Sequence, residues 1–380
     1  MSNHPLSNKL KQKLAERAAQ GNLRQLKITD GLVDFCSNDY LGLARSQALR
    51  AILQDETQQY SHMPLGATGS RLLSGNHRLF EELEETIAHY HHGEAALLFN
   101  SGYTANVGLL SALPQRGDTV FYDEASHASM KDGLRLSFAK SYSFGHNNVA
   151  DLRQKLKRAT GQVYVVVEAV YSMNGDTAPL QDLAQLCQEQ NAALIVDEAH
   201  AAGLYGPNGE GLTVSLGLED QVFAQVITYG KAMGSHGAAV VGPKVLRDFL
   251  INYSRAFIYT TALPTHALLA LKCAYRLLPS LQLERRQVKT MVGQLYTQLN
   301  NVPGIRCAPA ESVILSVFVE EGGTAKLKEL AAQVQQQGFD VRPVLSPTVP
   351  QGQERLRVIV HAFNTAEEIE GLVQAIAKGT

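Results

Sequence analysis

Short apolar runs alternate with helical patterns between residues 95 and 242, and this alternation limits the possible folds more than any other feature. Six runs have the length and composition of strands: AALLF (95–99), TVFY (119–122), VYVVVEA (163–169), AALIVDE (192–198), QVIT (225–228) and AAVVG (238–242). Several are apolar on both faces, which is typical of a largely parallel sheet covered by helices. Helical patterns lie between them, at 103–113, 148–158 and 180–190. The sequence therefore predicts an open α/β sheet built from βαβ units.

A second, smaller α/β unit is indicated after about residue 275. Helical and strand patterns follow one another at 281–299, 312–319, 325–337 and 355–360. The last helix is predicted from a capping box, because Glu368 stands three residues after Thr365. We expect three parts: an N-terminal helix and arm at 1–45, a large domain at 46–275 and a small C-terminal domain at 276–380.

Composition and charge exclude several classes of protein. Of the 380 residues, 45% are hydrophobic and 18% are charged, which supplies a large core and is not typical of disorder. The formal net charge of −2 argues against a nucleic-acid partner, which would require a basic face. Four scattered cysteines form no CxxC pair, which indicates a reducing compartment and offers no zinc site. No apolar run approaches bilayer length, so no membrane association is expected.

The N-terminal stretch carries Leu6, Leu10 and Leu14 on one helical stripe with lysines between them. No apolar core of a secretory signal follows this stripe, so we expect a cytoplasmic protein. Its first helix is expected to cover the surface of a partner. A transit peptide is the alternative, because the stretch is basic and amphipathic.

Polar side chains follow several of the predicted strands at the point where each strand ends. They are Gly102, Tyr103, His127, Glu168, Ser172, Asp197, His200 and Lys231. In open α/β sheets, ligands bind at the carboxyl ends of the strands, so we expect these residues to share one site. Packing alone does not require so many polar groups at one edge.

Familiar motifs for other chemistries are absent or incomplete. The DEAH run at 197–200 suggests a helicase, but a nucleotide-binding loop would require GxxxxGK[ST]. Ala232 follows Gly-Lys at 230–231, and Gln225 stands where that loop needs its first glycine. There is no GxGxxG, HExxH or GxSxG. The histidines at 89, 91 and 92 are predicted to lie on a glutamate-rich helix, where a solvated face is more typical than a metal site, so no metal is expected.

The remaining pattern is a lysine in a glycine-rich turn with an acid upstream. Lys231 can form a Schiff base with an aldehyde cofactor, and pyridoxal phosphate also needs an acid at its ring nitrogen, a role that suits Asp197. His200 could bond the phenolic oxygen of that ring and His127 could stack on its face. Backbone N–H groups near Gly102 could hold the phosphate. Taken singly, Lys231 fits a solvated turn and Asp197 a helix cap, but together they favour the cofactor site.

Longer stretches carry a resemblance to a known family. They are DFCSNDYLGLA (34–44), GATGSRLLSGNHRLFEELE (66–84), FNSGYTANVGLLSAL (99–113), DEASHAS (123–129), VVEAVYSMNGDTAPL (166–180), IVDEAHAAGLYG (195–206), TYGKAMGSHG (228–237), FIYTTALP (257–264) and SPTVPQGQERLRV (346–358). The chain resembles the pyridoxal-phosphate-dependent α-oxoamine synthases almost from end to end. This resemblance implies an aspartate-aminotransferase-like α/β fold (PLP fold type I), with a large, mostly parallel sheet domain and a smaller C-terminal α/β domain.

The resemblance also implies roles for individual residues. Lys231 would be the Schiff-base lysine, Asp197 would face the pyridine nitrogen and His200 the phenolic oxygen. With His127, which would stack on the ring, these form the expected catalytic set. Further cofactor contacts are implied for Gly102, Tyr103, Glu168, Ser172 and Thr228. Tyr103 stands where phenylalanine is common in the family.

A second set is implied for the substrate and the partner subunit. Asn38 and Arg357 resemble the groups that hold the carboxylate of an amino acid, a task that suits the bidentate fork of arginine. Arg24 matches an N-terminal arginine of the family. Thr260 or Thr261 would reach the cofactor phosphate from the other subunit, which implies an obligate homodimer with shared sites.

The implied activity is the decarboxylative condensation of an L-amino acid with an acyl-CoA or an acyl carrier protein. The preferred pair is L-alanine with a pimeloyl thioester, as in biotin synthesis. Glycine with acetyl-CoA, or serine with a long-chain acyl-CoA, are alternatives within the family. Ser346 departs from the family, which often has two prolines before TVP, beside the acyl-chain pocket. Another pyridoxal-phosphate reaction, such as transamination, and a non-catalytic binding protein are the competing hypotheses.

Overall fold

The computed structural model describes residues 4–380. Its strands are β1 (Val33–Asp34), β2 (Ala95–Phe99), β3 (Thr119–Asp123), β4 (Lys140–Phe144), β5 (Val163–Glu168), β6 (Ala192–Asp197), β7 (Ala224–Thr228), β8 (Ala238–Gly242), β9 (Ile305–Cys307), β10 (Ile314–Val319), β11 (Phe339–Asp340), β12 (Arg342–Val344) and β13 (Arg355–Ile359). They form three sheets within the described chain, with seven, four and two strands.

Helices connect and cover these strands. They are α1 (Pro5–Ala19), α2 (Gln47–Gln59), α3 (Arg78–Tyr90), α4 (Gly102–Ala112), α5 (Ala128–Leu136), α6 (Val149–Leu156), α7 (Leu180–Glu189), α8 (Leu212–Ser215), α9 (Lys244–Tyr253), α10 (Arg255–Ile258), α11 (Thr265–Leu277), α12 (Gln282–Leu299), α13 (Gly323–Gln336) and α14 (Ala366–Gly379). The predicted capping box is present at α14, where Thr365 accepts from the N–H of Glu368 and the Glu368 side chain accepts in return.

The large sheet has the strand order β2-β8-β7-β6-β5-β3-β4. Neighbours from β7 to β4 are parallel, whereas β8 runs antiparallel to both β7 and β2. This confirms the predicted fold class, a mostly parallel sheet interleaved with helices. The carboxyl ends of β3, β5, β6 and β7 consequently meet at one edge of the sheet.

Both faces of the sheet are buried, as the continuous apolar runs predict. In β5, Val165 and Val167 pack in one core cluster with α6 and α7, while Val166 packs in another cluster with α4. Burial of an aliphatic side chain of this size contributes about 1.5–3 kcal/mol, so the two helical layers hold the sheet rigid. The edge that carries the polar residues therefore lies on a fixed framework.

The edge strand β4 was missing from the sequence prediction. Its sequence, KSYSF, is polar and charged, and only Phe144 is buried. Because an edge strand pairs on one side only, it lacks the apolar signal of the central strands.

The C-terminal region forms an antiparallel sheet in the order β12-β13-β10-β9, packed against α12 and α13, and α14 packs on these two helices. The N-terminal arm joins this region, because β1 pairs with β11 in parallel and the backbone N–H of Ala362 donates to the backbone oxygen of Tyr40 at 2.8 Å. The proposed domain limits, 1–45, 46–275 and 276–380, stay a prediction.

None of the helices within residues 4–380 has the length and apolar character needed to cross a bilayer.

Candidate active site

Most of the predicted site residues line one cavity at the carboxyl edge of the large sheet. The cavity has a volume of about 390 Å³. Its lining includes Asn38, Gly102, Tyr103, His127, Glu168, Ser172, Asp197, His200, Thr228, Lys231 and Arg357. The strand ends therefore converge as the topology requires.

Lys231 follows β7 in a tight turn. The N–H of Gly234 donates to the oxygen of Lys231 at 2.8 Å, and Gly234 has a φ of +57°. A Cβ at Gly234 would lie 2.3 Å from the backbone nitrogen of Ala44, so only glycine fits. Burial lowers the pKa of Lys231, although Asp197 and, when it is ionised, Glu168 act in the opposite direction. The amine is thus biased toward its neutral, nucleophilic form.

Asp197 ends β6, where two hydrogen bonds fix its carboxylate. Its Oδ2 accepts from Asn106 Nδ2 at 2.7 Å, and its Oδ1 accepts from the N–H of Ala199 at 2.9 Å. The side chain is 4% exposed. A carboxylate held in this way can place a negative charge at one point of the cavity wall.

His127 stands at the start of α5 and is held from two sides. Its Nδ1 lies 2.7 Å from Ser129 Oγ, and its backbone N–H donates to Glu168 Oε1 at 2.6 Å. Ser129 Oγ in turn accepts from Asn106 Nδ2 at 3.1 Å, so one amide links His127 to Asp197. Burial lowers the pKa of His127, which favours a neutral imidazole at the cavity.

Glu168 ends β5 directly beside the last residue of β6, because Glu168 and Asp197 are partners in the strand register. Burial, followed by the negative charge of Asp197, raises the pKa of Glu168 to about 8. Glu168 therefore carries a proton at neutral pH.

Arg357 comes from β13 and reaches the cavity from the C-terminal region. Its Nε donates to the backbone oxygen of Ser172 at 2.6 Å, and its Nη2 donates to Asn38 Oδ1 at 3.0 Å. The hydroxyl of Tyr40 lies 3.0 Å from the same Asn38 oxygen and 2.5 Å from His200 Nδ1. One hydrogen-bonded chain thus joins Arg357 to His200.

Two further lining residues, Gly102 and Tyr103, stand at the start of α4. Gly102 packs so closely on Thr228 that a Cβ would lie 2.5 Å from Thr228 Cγ2. The first N–H groups of a helix have no intrahelical partner and favour an anion. Tyr103 stands at the rim, 48% exposed, and its hydroxyl donates to Asp132.

Three predicted residues lie outside this cavity. Thr260 Oγ1 accepts from Asn100 Nδ2 at 3.1 Å, and the backbone oxygen of Thr261 accepts from the same amide at 2.8 Å. Neither threonine lines the cavity of its own chain. Arg24 lines a second cavity of about 450 Å³, which shares Met173 and Arg357 with the first.

Three residues that organise the site received no role from the sequence: Tyr40, Asn106 and Ser129. Asn106 lies one helical turn after Gly102, so the start of α4 predicts that it faces the same edge. Tyr40 gave no comparable signal, because its partner His200 is 160 residues away along the chain.

The site as a whole is suited to an aldehyde cofactor with a charged ring and a phosphate. It offers an amine of lowered pKa, a buried carboxylate in the same cavity and a helix start for an anion. These features together define the pyridoxal-phosphate enzymes of fold type I.

Comparisons with known proteins agree with this assignment. The family model described as aminotransferase class I and II matches residues 30–376, and the chain belongs to this family. The chain is 41% identical to an 8-amino-7-oxononanoate synthase from Emericella nidulans, over 98% of this chain and 95% of that protein. It is thus a member of the α-oxoamine synthases, acyltransferases whose cofactor is pyridoxal phosphate.

Solved structures show the same fold. A serine palmitoyltransferase variant from S. paucimobilis with a bound PLP–myriocin adduct superposes with a TM-score of 0.90 at 25% identity, covering 100% of this chain and 98% of that one. An 8-amino-7-oxononanoate synthase from Francisella tularensis gives a TM-score of 0.78 at 27% identity, covering 92% and 98%.

Proposed function

We propose that the chain condenses L-alanine with a pimeloyl thioester to give 8-amino-7-oxononanoate, the free thiol and carbon dioxide. The observation that carries this proposal is one cavity that combines Lys231 and Asp197 with Arg357 and shares Arg357 and Met173 with a second cavity lined by arginines. The names of the curated relatives, 8-amino-7-oxononanoate synthases, support the same product. When bound, pyridoxal phosphate supplies an aldehyde for amines and a ring that accepts electrons from the amino-acid α-carbon.

Lys231 would hold the cofactor and would later act as a base. Its amine is biased toward the neutral form, so Nζ can attach to the aldehyde and, once released, can take the α-proton of the amino acid. Asp197 would stabilise a proton on the ring nitrogen, because opposite charge favours the protonated form. Its two hydrogen bonds keep the carboxylate pointed at that position.

His127, His200 and the start of α4 would orient the cofactor. The ring of His127, fixed by Ser129, would lie against the face of the cofactor, and His200 would face its phenolic oxygen. The N–H groups of Gly102 and Tyr103 would hold the phosphate. Thr228, Ser172 and the protonated Glu168 would complete the wall of the site.

Arg357 would bind the carboxylate of the amino acid. Its guanidinium is held by Ser172 and Asn38 through Nε and Nη2, which leaves further N–H groups for a ligand. A carboxylate placed there by charge-assisted hydrogen bonds would be oriented for the chemistry at the α-carbon.

The second cavity would receive the acyl thioester. Its described lining contains Arg17, Arg24 and Arg342 together with apolar groups such as Leu345, and no acidic residue. Arg342 is already paired with Asp340 at 2.7 Å, so Arg17 and Arg24, both exposed, are the charges available to an anion. An acyl chain with apolar methylenes and a terminal carboxylate matches this lining.

We also propose a homodimer in which Thr260 or Thr261 approaches the cofactor phosphate of the partner subunit. Large apolar side chains near these threonines are exposed in the single chain: Tyr259 is 72% exposed and Leu73 is 85% exposed. Surfaces of this kind are typical of subunit interfaces. A cytoplasmic location stays a prediction.

The test is an assay of purified enzyme with matched substrate pairs. We expect L-alanine with pimeloyl-CoA to release CoA and carbon dioxide faster than glycine with acetyl-CoA or serine with palmitoyl-CoA. Replacement of Arg24 and Arg17 by glutamine is expected to raise the KM for pimeloyl-CoA and to leave the KM for L-alanine nearly unchanged. Transfer of the amino group to a keto acid without release of CoA would contradict the proposal and favour a transaminase.

A further inference from the structure

His236 lines the cavity that contains Lys231, and its side chain has no partner within residues 4–380. It follows Lys231 in the same glycine-rich segment, between Ser235 and Gly237. The side chain is exposed, and none of the hydrogen bonds of the described chain involves its imidazole. The imidazole is therefore available to a ligand in the cavity.

The strand register brings His236 close to the start of α4. Ala238 of β8 pairs with Phe99 of β2, and these strands run antiparallel. A Cβ on Gly237 would lie 3.1 Å from the backbone oxygen of Phe99, so the two segments stay in contact beyond the paired residues. Ser101, two residues after Phe99, is the N-cap of α4. His236, two residues before Ala238, consequently lies at the level of the helix start.

The backbone of His236 is fixed on both sides. The N–H of Ser235 donates to the oxygen of Tyr229 at 2.8 Å, and the N–H of Tyr229 donates to the oxygen of Gly237 at 3.0 Å. Tyr229 itself is fully buried, with 0% exposure. His236 is thus carried by a firmly held turn, which can place a side chain at a defined point of a site.

The start of α4 leaves two N–H groups for an anion. The hydroxyl of Ser101 accepts from the N–H of Thr104, so the N–H groups of Gly102 and Tyr103 are not capped by it. A phosphate monoester carries nearly two negative charges at neutral pH, whereas a helix start supplies about half a positive charge. A cationic side chain beside the helix start would therefore add to the binding of a phosphate.

Four other side chains of the cavity can carry a positive charge: His127, His200, Lys231 and Arg357. Burial lowers the pKa of His127 and of His200, which favours neutral rings. In the proposed function, Lys231 binds the aldehyde and Arg357 binds the carboxylate of the amino acid. Among the described lining residues, His236 is the one that remains for the phosphate.

We propose that His236 binds the phosphate of the cofactor, donating to a phosphate oxygen next to the N–H groups of Gly102 and Tyr103. The proposal rests on the proposed function, which places the phosphate at the start of α4. Histidine suits this task because its ring can be positively charged near neutral pH, and charge-assisted hydrogen bonds to phosphate are stronger than neutral ones.

The test compares the binding of pyridoxal phosphate with that of pyridoxal, which has the same ring and aldehyde but no phosphate. Both are titrated near neutral pH into full-length protein freed of cofactor. His236→Gln should raise the Kd for pyridoxal phosphate about 10-fold, the lower end of the range for a hydrogen bond to a charged group, because the side chain is exposed. The Kd for pyridoxal should stay unchanged. His236→Lys keeps a positive charge and should restore most of the lost affinity.

His89→Gln is the matched control. His89 is an exposed histidine in the last turn of α3 and does not line the cavity. This variant should leave both Kd values at their wild-type level. If His236→Gln weakens the binding of both ligands equally, the effect is a general loss of packing and the proposal fails.

The two ligands also separate this proposal from the proposed function. A wild type that binds both ligands equally well would overturn the phosphate position at α4 and the role of His236 together. A wild type that prefers pyridoxal phosphate, with the same preference in His236→Gln, would overturn the role of His236 alone. Neither binding constant depends on turnover, so failure of the proposed reaction would be recognised separately.

The ³¹P NMR signal of the bound cofactor is a second readout. A phosphate that loses a charged neighbour changes its electronic environment, so the signal should move in His236→Gln and keep its wild-type position in His89→Gln. An unmoved signal in His236→Gln would contradict a contact between the imidazole and the phosphate.

Discussion

Replacement of Glu168 by glutamine tests how the cavity keeps a buried acid beside Asp197. Glu168 Oε1 accepts from the N–H of His127 at 2.6 Å, and the side chain is 3% exposed. Burial and the charge of Asp197 raise the pKa of Glu168 from its ordinary value of 4.5 to about 8. Glutamine has nearly the shape of the protonated acid and still offers an oxygen to His127, so it should replace this form well.

The sign of the effect follows from proton binding. The pKa of Glu168 is 4.5 in the unfolded chain and about 8 in the folded protein. Between these two values the folded protein keeps the proton of Glu168, whereas the unfolded chain releases it. The stability that the protonated Glu168 contributes is therefore full below pH 4.5 and is lost as the pH rises through about 8. Each pH unit inside this window costs about 1.4 kcal/mol. Wild type should therefore lose about 2 kcal/mol relative to Glu168→Gln between about pH 5.5 and about pH 7.

The assay is urea unfolding of wild type and Glu168→Gln at both pH values, with saturating cofactor and a fixed protein concentration. The difference between the two proteins isolates Glu168, because the other titrating groups are shared. Glu189→Gln is the control: Glu189 is exposed and paired with Arg153, which lowers its pKa, so its difference from wild type should stay constant. A constant difference for Glu168→Gln as well would refute the reasoning.

Two further predictions concern Arg357 and His146. Arg357→Lys loses the guanidinium fork that bonds Asn38, so the KM for L-alanine should rise about 10-fold or more with little change in the KM for pimeloyl-CoA. Steady-state kinetics measures both values. Equal changes in the two KM values would contradict a carboxylate site at Arg357. His146 lies between Asp123 at 2.9 Å and Asp176 at 2.7 Å; burial lowers the pKa of its ring, but these bonds prevail and raise it to about 10. The stability that protonated His146 contributes is full below pH 6.5 and is lost as the pH rises through about 10. The destabilisation caused by His146→Gln, measured by urea unfolding, should therefore shrink over that pH range. A destabilisation that does not change with pH would contradict a protonated His146 between the two aspartates.

The central part of the site could be predicted from the sequence because parallel strands end together. Glu168 and Asp197 each end an apolar run, and the register places them side by side. Lys231 follows the next strand of the sheet, in a turn whose glycine is required by its backbone conformation. Local sequence patterns, together with the rule that ligands bind at the carboxyl ends of the strands in open α/β sheets, were sufficient to predict these residues.

The contacts that tune these residues could not be predicted in the same way. Tyr40 meets His200 because the N-terminal arm is bound to the C-terminal region through Ala362, and no local pattern encodes that placement. The edge strand β4 was missed because pairing, rather than burial, holds its polar residues in place.

The proposed contact of Thr260 or Thr261 with a cofactor phosphate is a contact between two subunits. Thr260 and Thr261 bond Asn100 in their own chain and do not line its cavity, so their proposed contact with phosphate depends on a second subunit. The stripe of Leu6, Leu10 and Leu14 on α1 is likewise exposed in the single chain.

The position of the covalent attachment is the most direct test of the site. Holoenzyme is reduced with borohydride, which makes the bond between the cofactor and its lysine permanent, and the digested protein is analysed by mass spectrometry. The pyridoxyl group should be found on the peptide that contains Lys231, and Lys231→Ala should lack the visible absorbance of the bound cofactor. A pyridoxyl group on another lysine, or a Lys231→Ala protein with an unchanged spectrum and turnover, would contradict the assignment.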